Sequence, residues 1–269
     1  MPDTFTSRGT LSIKTKPSYN KPAILKNLSA LVIHMDYSVV SRKVKHHVLM
    51  LFQSHHTDRL LYHNRAHTEQ VVEACTKMAE YYRLNDKDRF IVTTAAWFHD
   101  TGYFDNTDTH EIAGVARAEA FLQAEEVDAE TITAVKNCIL ATQMPQHPAN
   151  LMEQIVCDAD LFHLGMNGFF KRNKWLREES ETLHHKTISK KKWLKSTLQL
   201  LEQHQYYTDY SRKHLNDKKQ EHIEALKQKI GEPHERAIPA TANGKEEKEG
   251  KEDNRILSFL YSHCYKCII

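Results

Sequence analysis

The chain has 269 residues, of which 40% are hydrophobic and 27% charged, with a formal net charge of +2. That length supports one buried core plus tails, and the near-neutral balance argues against a dedicated nucleic-acid or anionic-membrane surface. Residues 1–22 are polar with no apolar h-region, and no run of about 18 apolar residues occurs, so neither a secretory leader nor a transmembrane helix is expected.

Residues 1–28 read as a polar tail and 29–231 as one all-α domain, a compact multi-helix bundle. Within it, 39–54 reads as a helix, and 65–83 puts Val71, Ala74, Cys75, Met78 and Tyr82 on one stripe. Asn85 or Asp86 caps the next helix, whose apolar run FIVTTAAWF is expected to stop at Gly102. Thr109 is positioned to cap HEIAGVARAEAFL, and Asp128 to cap AETITAVKNCILAT, which Pro145 ends. A short helix around 149–156, the segment DADLFHLG and two or three amphipathic helices complete the domain. Strand signals are weak, with no Asn-Gly hairpin and no sustained alternation.

Composition changes at Gly231. Residues 232–254 read as a charged, disordered linker and 255–269 as a short apolar segment, too short to span a bilayer. A weak membrane-surface contact by that segment is one reading of it, and a sticky helix is another. His263, Cys264 and Cys267 make half a zinc knuckle without a second half, and the last three residues lack the fourth position of a prenylation box. Cys75, Cys138 and Cys157 fall in apolar stretches and read as buried free thiols, which suits a reducing cytoplasm.

Eighteen histidines raise the odds of metal ligation and of chance spacings alike. His99-Asp100 ends the apolar run TAAWF, where an ionisable pair must be paired, metal-bound or solvated as a cap. His63 and His67, in YHNRAH, lie four apart and share a helix face, as ligand and proton donor or as ordinary polar residues. Asp158 and Asp160 sit among Ile155, Val156, Leu161 and Leu164, where a carboxylate needs a partner or acts as a helix cap. His110 opens a helix and His147 lies between two prolines; each alone reads as a capping or surface residue.

Taken in order, His67, His99-Asp100, His110, His147 and Asp160 resemble the H…HD…H…H…D pattern of two-metal members of the HD superfamily of phosphohydrolases. YHNRAH is similar to the HNxxH motif of cyclic-nucleotide phosphodiesterases. AAWFHDTGY, ILATQMPQHP and IVCDADLFHLG resemble HD domains of Pycsar-effector-type proteins in bacterial anti-phage systems. The motifs cover roughly residues 60–165, and the helical organisation about 30–230. The resemblance implies that His67, His99, Asp100 and Asp160 hold a first metal, with Asp100 bridging to a second metal held by His110 and His147. It also implies His63 as general acid and Asp158 as a residue orienting a histidine. Where some family members carry a lysine three positions after the aspartate, this chain has Tyr103. A phosphate contact must then come from elsewhere, with Arg65 and Lys171 as the candidates.

The implied chemistry is hydrolysis of a nucleotide or related phosphate ester, cyclic nucleotides included, by a metal-bound hydroxide. One or two ions of Mn, Fe, Ni, Zn or Mg would suit the ligands. Two alternatives stand beside it. One is a cyclic-nucleotide-responsive effector module with a structural metal, and the other a helical interaction protein whose histidines are core or capping residues. The substrate and the oligomeric state are not legible.

Overall fold

In the computed structural model, residues 35–105 and 109–231 are described. The polar stretch 1–28, the linker 232–254 and the apolar segment 255–269, with His263, Cys264 and Cys267, lie outside them. The described residues form helices and no strand, and no helix among them is long and apolar enough to cross a membrane.

The helices are α1 (Tyr37–Ser54), α2 (Arg65–Tyr81), α3 (Asp86–Phe98), α4 (His110–Ala124) and α5 (Ala129–Ala141). They continue as α6 (Leu151–Asp160), α7 (Phe169–Leu183), α8 (Lys190–Gln203) and α9 (Asp209–Gly231). Side-chain caps set most of the starts. Asp36, Asn64, Asn85, Asp128, Asn150 and Ser189 each accept hydrogen bonds from backbone N–H groups in the first turn. Thr109 occupies the cap position of α4 but makes no such bond.

Helix α3 is the hub. Phe90, Ile91, Val92, Ala95, Ala96 and Phe98 are all buried, because α1, α2, α4, α5 and α6 surround it. A helix covered on every side is apolar all round, which is why FIVTTAAWF lacks a polar face. A second cluster joins Tyr62 to Leu161, Leu164, Phe169, Leu176, Trp193, Leu200 and Leu226, packing the 161–165 turn under α7, α8 and α9.

Helix α3 ends at Phe98 rather than at Gly102, and a 3₁₀ turn follows over Thr101–Phe104. Gly102 serves close approach instead, since a Cβ there would collide with the backbone carbonyl of His110. Gly114 does the same one helix later. Its added Cβ would stand 2.7 Å from Phe98 O and 3.1 Å from His99 O. These two contacts seat α4 against the end of α3. Gly102→Ala is therefore expected to cost about 1–3 kcal/mol, read as a drop of several degrees in Tm.

Candidate metal centre

Three helix ends converge on one point. The first turn of α2 carries His67, the C-terminal end of α3 carries His99 and Asp100, and α6 ends on Asp160. The HNxxH spacing has a local cause. Asn64 caps α2, its side chain accepting from His67 N at 3.2 Å and donating to Leu61 O at 2.8 Å. His63 is thereby fixed just outside the helix and His67 on its first turn. The ends of α3 and α6 are negative dipole termini, which favour a cation between them.

His67, His99, Asp100 and Asp160 are all buried, and each offers a ligand atom within 4.8 Å of the other three. His67 Nε2 lies 3.3 Å from Asp100 Oδ2 and 3.3 Å from Asp160 Oδ1. His99 Nε2 lies 3.0 Å and 3.5 Å from the same two oxygens. Donors about 2.0–2.2 Å from one ion stand roughly 2.8–3.6 Å apart in octahedral or tetrahedral geometry. These contacts do not align as hydrogen bonds: His67 Nε2, His99 Nε2 and Asp100 Oδ2 are buried with no hydrogen-bond partner among the described residues. Leaving such atoms unpaired costs about 1–3 kcal/mol each. One divalent ion satisfies all of them, so the residues fit a metal.

The protonation chemistry agrees. His99 Nδ1 lies 2.9 Å from Ala96 O, so Nδ1 carries the hydrogen and Nε2 presents its lone pair to the cluster. Burial works against charge on His99, yet Asp100 and Asp160 outweigh it and hold the imidazole well above its usual pKa. Burial likewise opposes charge on Asp100, but His99 and His67 keep its carboxyl well below the carboxylate range. Asp160 is lowered against its burial by the same two histidines. The carboxylate pair demands a cation, and a proton on His99 meets that demand when no ion does.

The other residues singled out in the sequence fall in different places. His110 is buried with Nε2 3.9 Å from Asp100 Oδ1 and 3.4 Å from Glu111 Oε1, so the two oxygens of Asp100 face different imidazoles. His147 does not join it. His147 is exposed and lines a separate cleft beside Pro145, Leu200 and Tyr207. Asp158 orients no histidine in the structure. Oδ1 accepts from Tyr207 N at 2.9 Å, and Oδ2 from Thr208 N at 2.8 Å and Thr208 Oγ1 at 2.6 Å. Two residues from Asp160 on one helix, it points to another side and ties down the turn before α9. Asp158→Ala is expected to cost about 3 kcal/mol by stranding those donors, with metal content unchanged; urea denaturation of metal-replete protein checks it.

Arg65 is half-exposed and paired with Glu69 at 2.9 Å, and Lys171 lies over the Trp175 ring at 4.6 Å. Neither lines the cavity bordered by His67 and Asp160; Arg172 does. Tyr103, in place of the lysine, is buried between two imidazoles, stacked 4.2 Å from His63 and 4.0 Å from His110. It fixes the spacing of those two rings.

Residues 65–165 match the family model of the HD domain. The HD segment begins at α2 and ends on the 161–165 turn, so it spans all four gathered ligands. Among curated proteins and among solved structures, no match was found. The HD match suggests metal-dependent hydrolase chemistry, and the buried cluster inside it could hold the ion.

One residue of the site lies outside the HD segment and carries no motif. Glu179, on α7, is buried and hydrogen-bonded to His63 Nδ1. Its Oε2 also accepts from Tyr62 N at 2.6 Å and His63 N at 3.1 Å. Burial would lower the His63 pKa, but the charge and hydrogen bond of Glu179 prevail and raise it. His63 Nε2 is buried with no hydrogen-bond partner among the described residues. Its ring centroid is 5.9 Å from that of His67.

Proposed function

We propose that the chain is a metal-dependent phosphohydrolase acting on a nucleotide or a related phosphate ester. The observation that carries this reading is the buried four-ligand cluster with a carboxylate-anchored imidazole beside it. A divalent ion held by His67, His99, Asp100 and Asp160 supplies Lewis acidity toward a phosphoryl oxygen and toward water.

The protein's own groups do the rest. Asp100 is the pivot, with one oxygen toward His67 and His99 and the other toward His110. Glu179 fixes the His63 ring, so the opposite nitrogen, Nε2, is the atom that gives its proton to the leaving oxygen. A positioned imidazolium of this kind contributes about 10²–10⁴-fold. Tyr103, packed against both His63 and His110, keeps the donor from collapsing onto the ligands. The burial of His63, Tyr103 and His110 limits competing water.

A turnover screen of metal-loaded full-length protein on cyclic mononucleotides, deoxynucleotides, guanosine polyphosphates and simple monoesters tests the reading. Release of phosphate or a nucleotide product that stops on chelation is the expected result. Tight nucleotide binding without turnover would instead mark a ligand-sensing module.

A further inference from the structure

A cavity of about 180 Å³ is lined by two of the four ligands, His67 and Asp160, and also by Arg172. Arg172 belongs to the first turn of α7. It takes part in none of the ion pairs among the described residues. Its two hydrogen bonds go to neutral acceptors: Nη1 to Asn167 O at 3.1 Å and Nη2 to Gln70 Oε1 at 2.9 Å. Lys77, the other cation of the lining, is paired with Glu73 at 2.6 Å.

Two neutral partners orient the guanidinium without cancelling its charge. A guanidinium has five N–H donors, so three remain for a ligand. Gly168 makes room for this arrangement. It has φ +85°, and an added Cβ would stand 3.2 Å from Arg172 Nη1. A fixed guanidinium fork in a cavity shared with His67 and Asp160 suits a planar pair of phosphoryl oxygens.

We propose that Arg172 binds a second phosphoryl group of the substrate, next to the one that reacts, so that the cavity selects polyphosphates over monoesters and cyclic monophosphates. The inference rests on the phosphohydrolase reading. The cavity is smaller than the roughly 300–1,000 Å³ of ordinary ligand pockets. It encloses the phosphate portion of a nucleotide and leaves the nucleoside outside.

Isothermal titration of manganese-loaded full-length protein with inorganic pyrophosphate and with orthophosphate tests it. The wild type is expected to bind pyrophosphate at least about tenfold more tightly, the range of a charge-assisted pair. Arg172→Met should weaken pyrophosphate by about 10- to 100-fold and leave orthophosphate, manganese content and Tm nearly unchanged. Arg172→Lys, which keeps the charge but not the fork, should recover only part of the loss. If Arg172→Met and wild type bind both anions with the same preference, the proposal is overturned and the hydrolase reading survives. If neither anion binds the manganese-loaded wild type, both fall together.

Discussion

Asp100→Asn is expected to abolish turnover and strip the ion. The substitution keeps the side-chain shape but removes the negative charge shared by His67, His99 and His110. An amide binds a divalent cation far more weakly than a carboxylate, so metal content should fall below about a tenth of wild type, with phosphohydrolase activity down at least about 10³-fold. Metal assistance of several kcal/mol sets that scale, at 1.36 kcal/mol per tenfold. The variant should still fold. Asp100 opposes charge on Asp160, and removing one of two adjacent buried anions relieves that repulsion. His99→Ala should lose the ion equally, while destabilising the apo protein by stranding Asp100 and Asp160. Elemental analysis beside a circular-dichroism melt separates metal loss from unfolding. Wild-type turnover in both variants would remove the hydrolase reading.

Glu179→Gln should reduce kcat by about 10²–10⁴-fold with the metal retained, because a misplaced imidazole cannot deliver its proton. The sign of the pH effect follows from the charges. Glu179 raises the His63 pKa above its ordinary value of 6.5 against the opposing effect of burial. The donating form is thus present below the raised pKa and lost as pH climbs through it. Wild-type kcat should therefore fall on an alkaline limb above 6.5, the ordinary value. In Glu179→Gln that limb should move toward acid, since the remaining burial favours neutral imidazole. The same raised pKa means that His63 contributes stability at low pH that is lost as pH rises through its folded value. An unchanged limb with a lower kcat would make Glu179 structural only. An unchanged kcat would remove His63 from the reaction.

Much of the fold was written in plain periodicity. Of the α2 stripe, Val71, Ala74, Cys75 and Met78 are buried as their spacing requires while Tyr82 falls at the C-cap and is part-exposed, and Asn85 and Asp128 cap where expected. The ends of helices were less legible. A glycine normally marks a helix stop, but Gly102 is kept for the close passage of the His110 backbone, a contact between segments that no local pattern encodes. The reading of 149–156 as a short helix fell four residues short. Asp160 reaches the cluster because α6 runs on to it.

The site shows the same division. His67, His99, Asp100 and Asp160 were singled out by their resemblance to the HD ligand order, whereas their surroundings alone left ligand, ion-pair and capping roles open. His147 has the right type and order, yet it is exposed beside α8, so order alone did not determine its place. Glu179 lies 116 positions from His63 in a helix with three glutamates, and no motif separates them. A signal was nevertheless present. Phe169, Asn173, Leu176 and Glu179 fall on one helical stripe, and a carboxylate on a buried stripe must have a partner. Arg172 was missed in favour of its neighbour Lys171 because α7 turns the two side chains about 100° apart. Only the three-dimensional arrangement tells which of them meets the cavity.

The claim beneath all of this is that His67, His99, Asp100 and Asp160 hold a divalent ion. Metal content of full-length protein, measured after purification without chelator and again after manganese loading and gel filtration, addresses it directly. At least one tightly held ion per chain is expected, with a Tm that falls on chelation, as linkage requires of a ligand that binds only the folded state. Protein that retains no transition ion after loading, and melts at the same temperature with or without chelator, would contradict it.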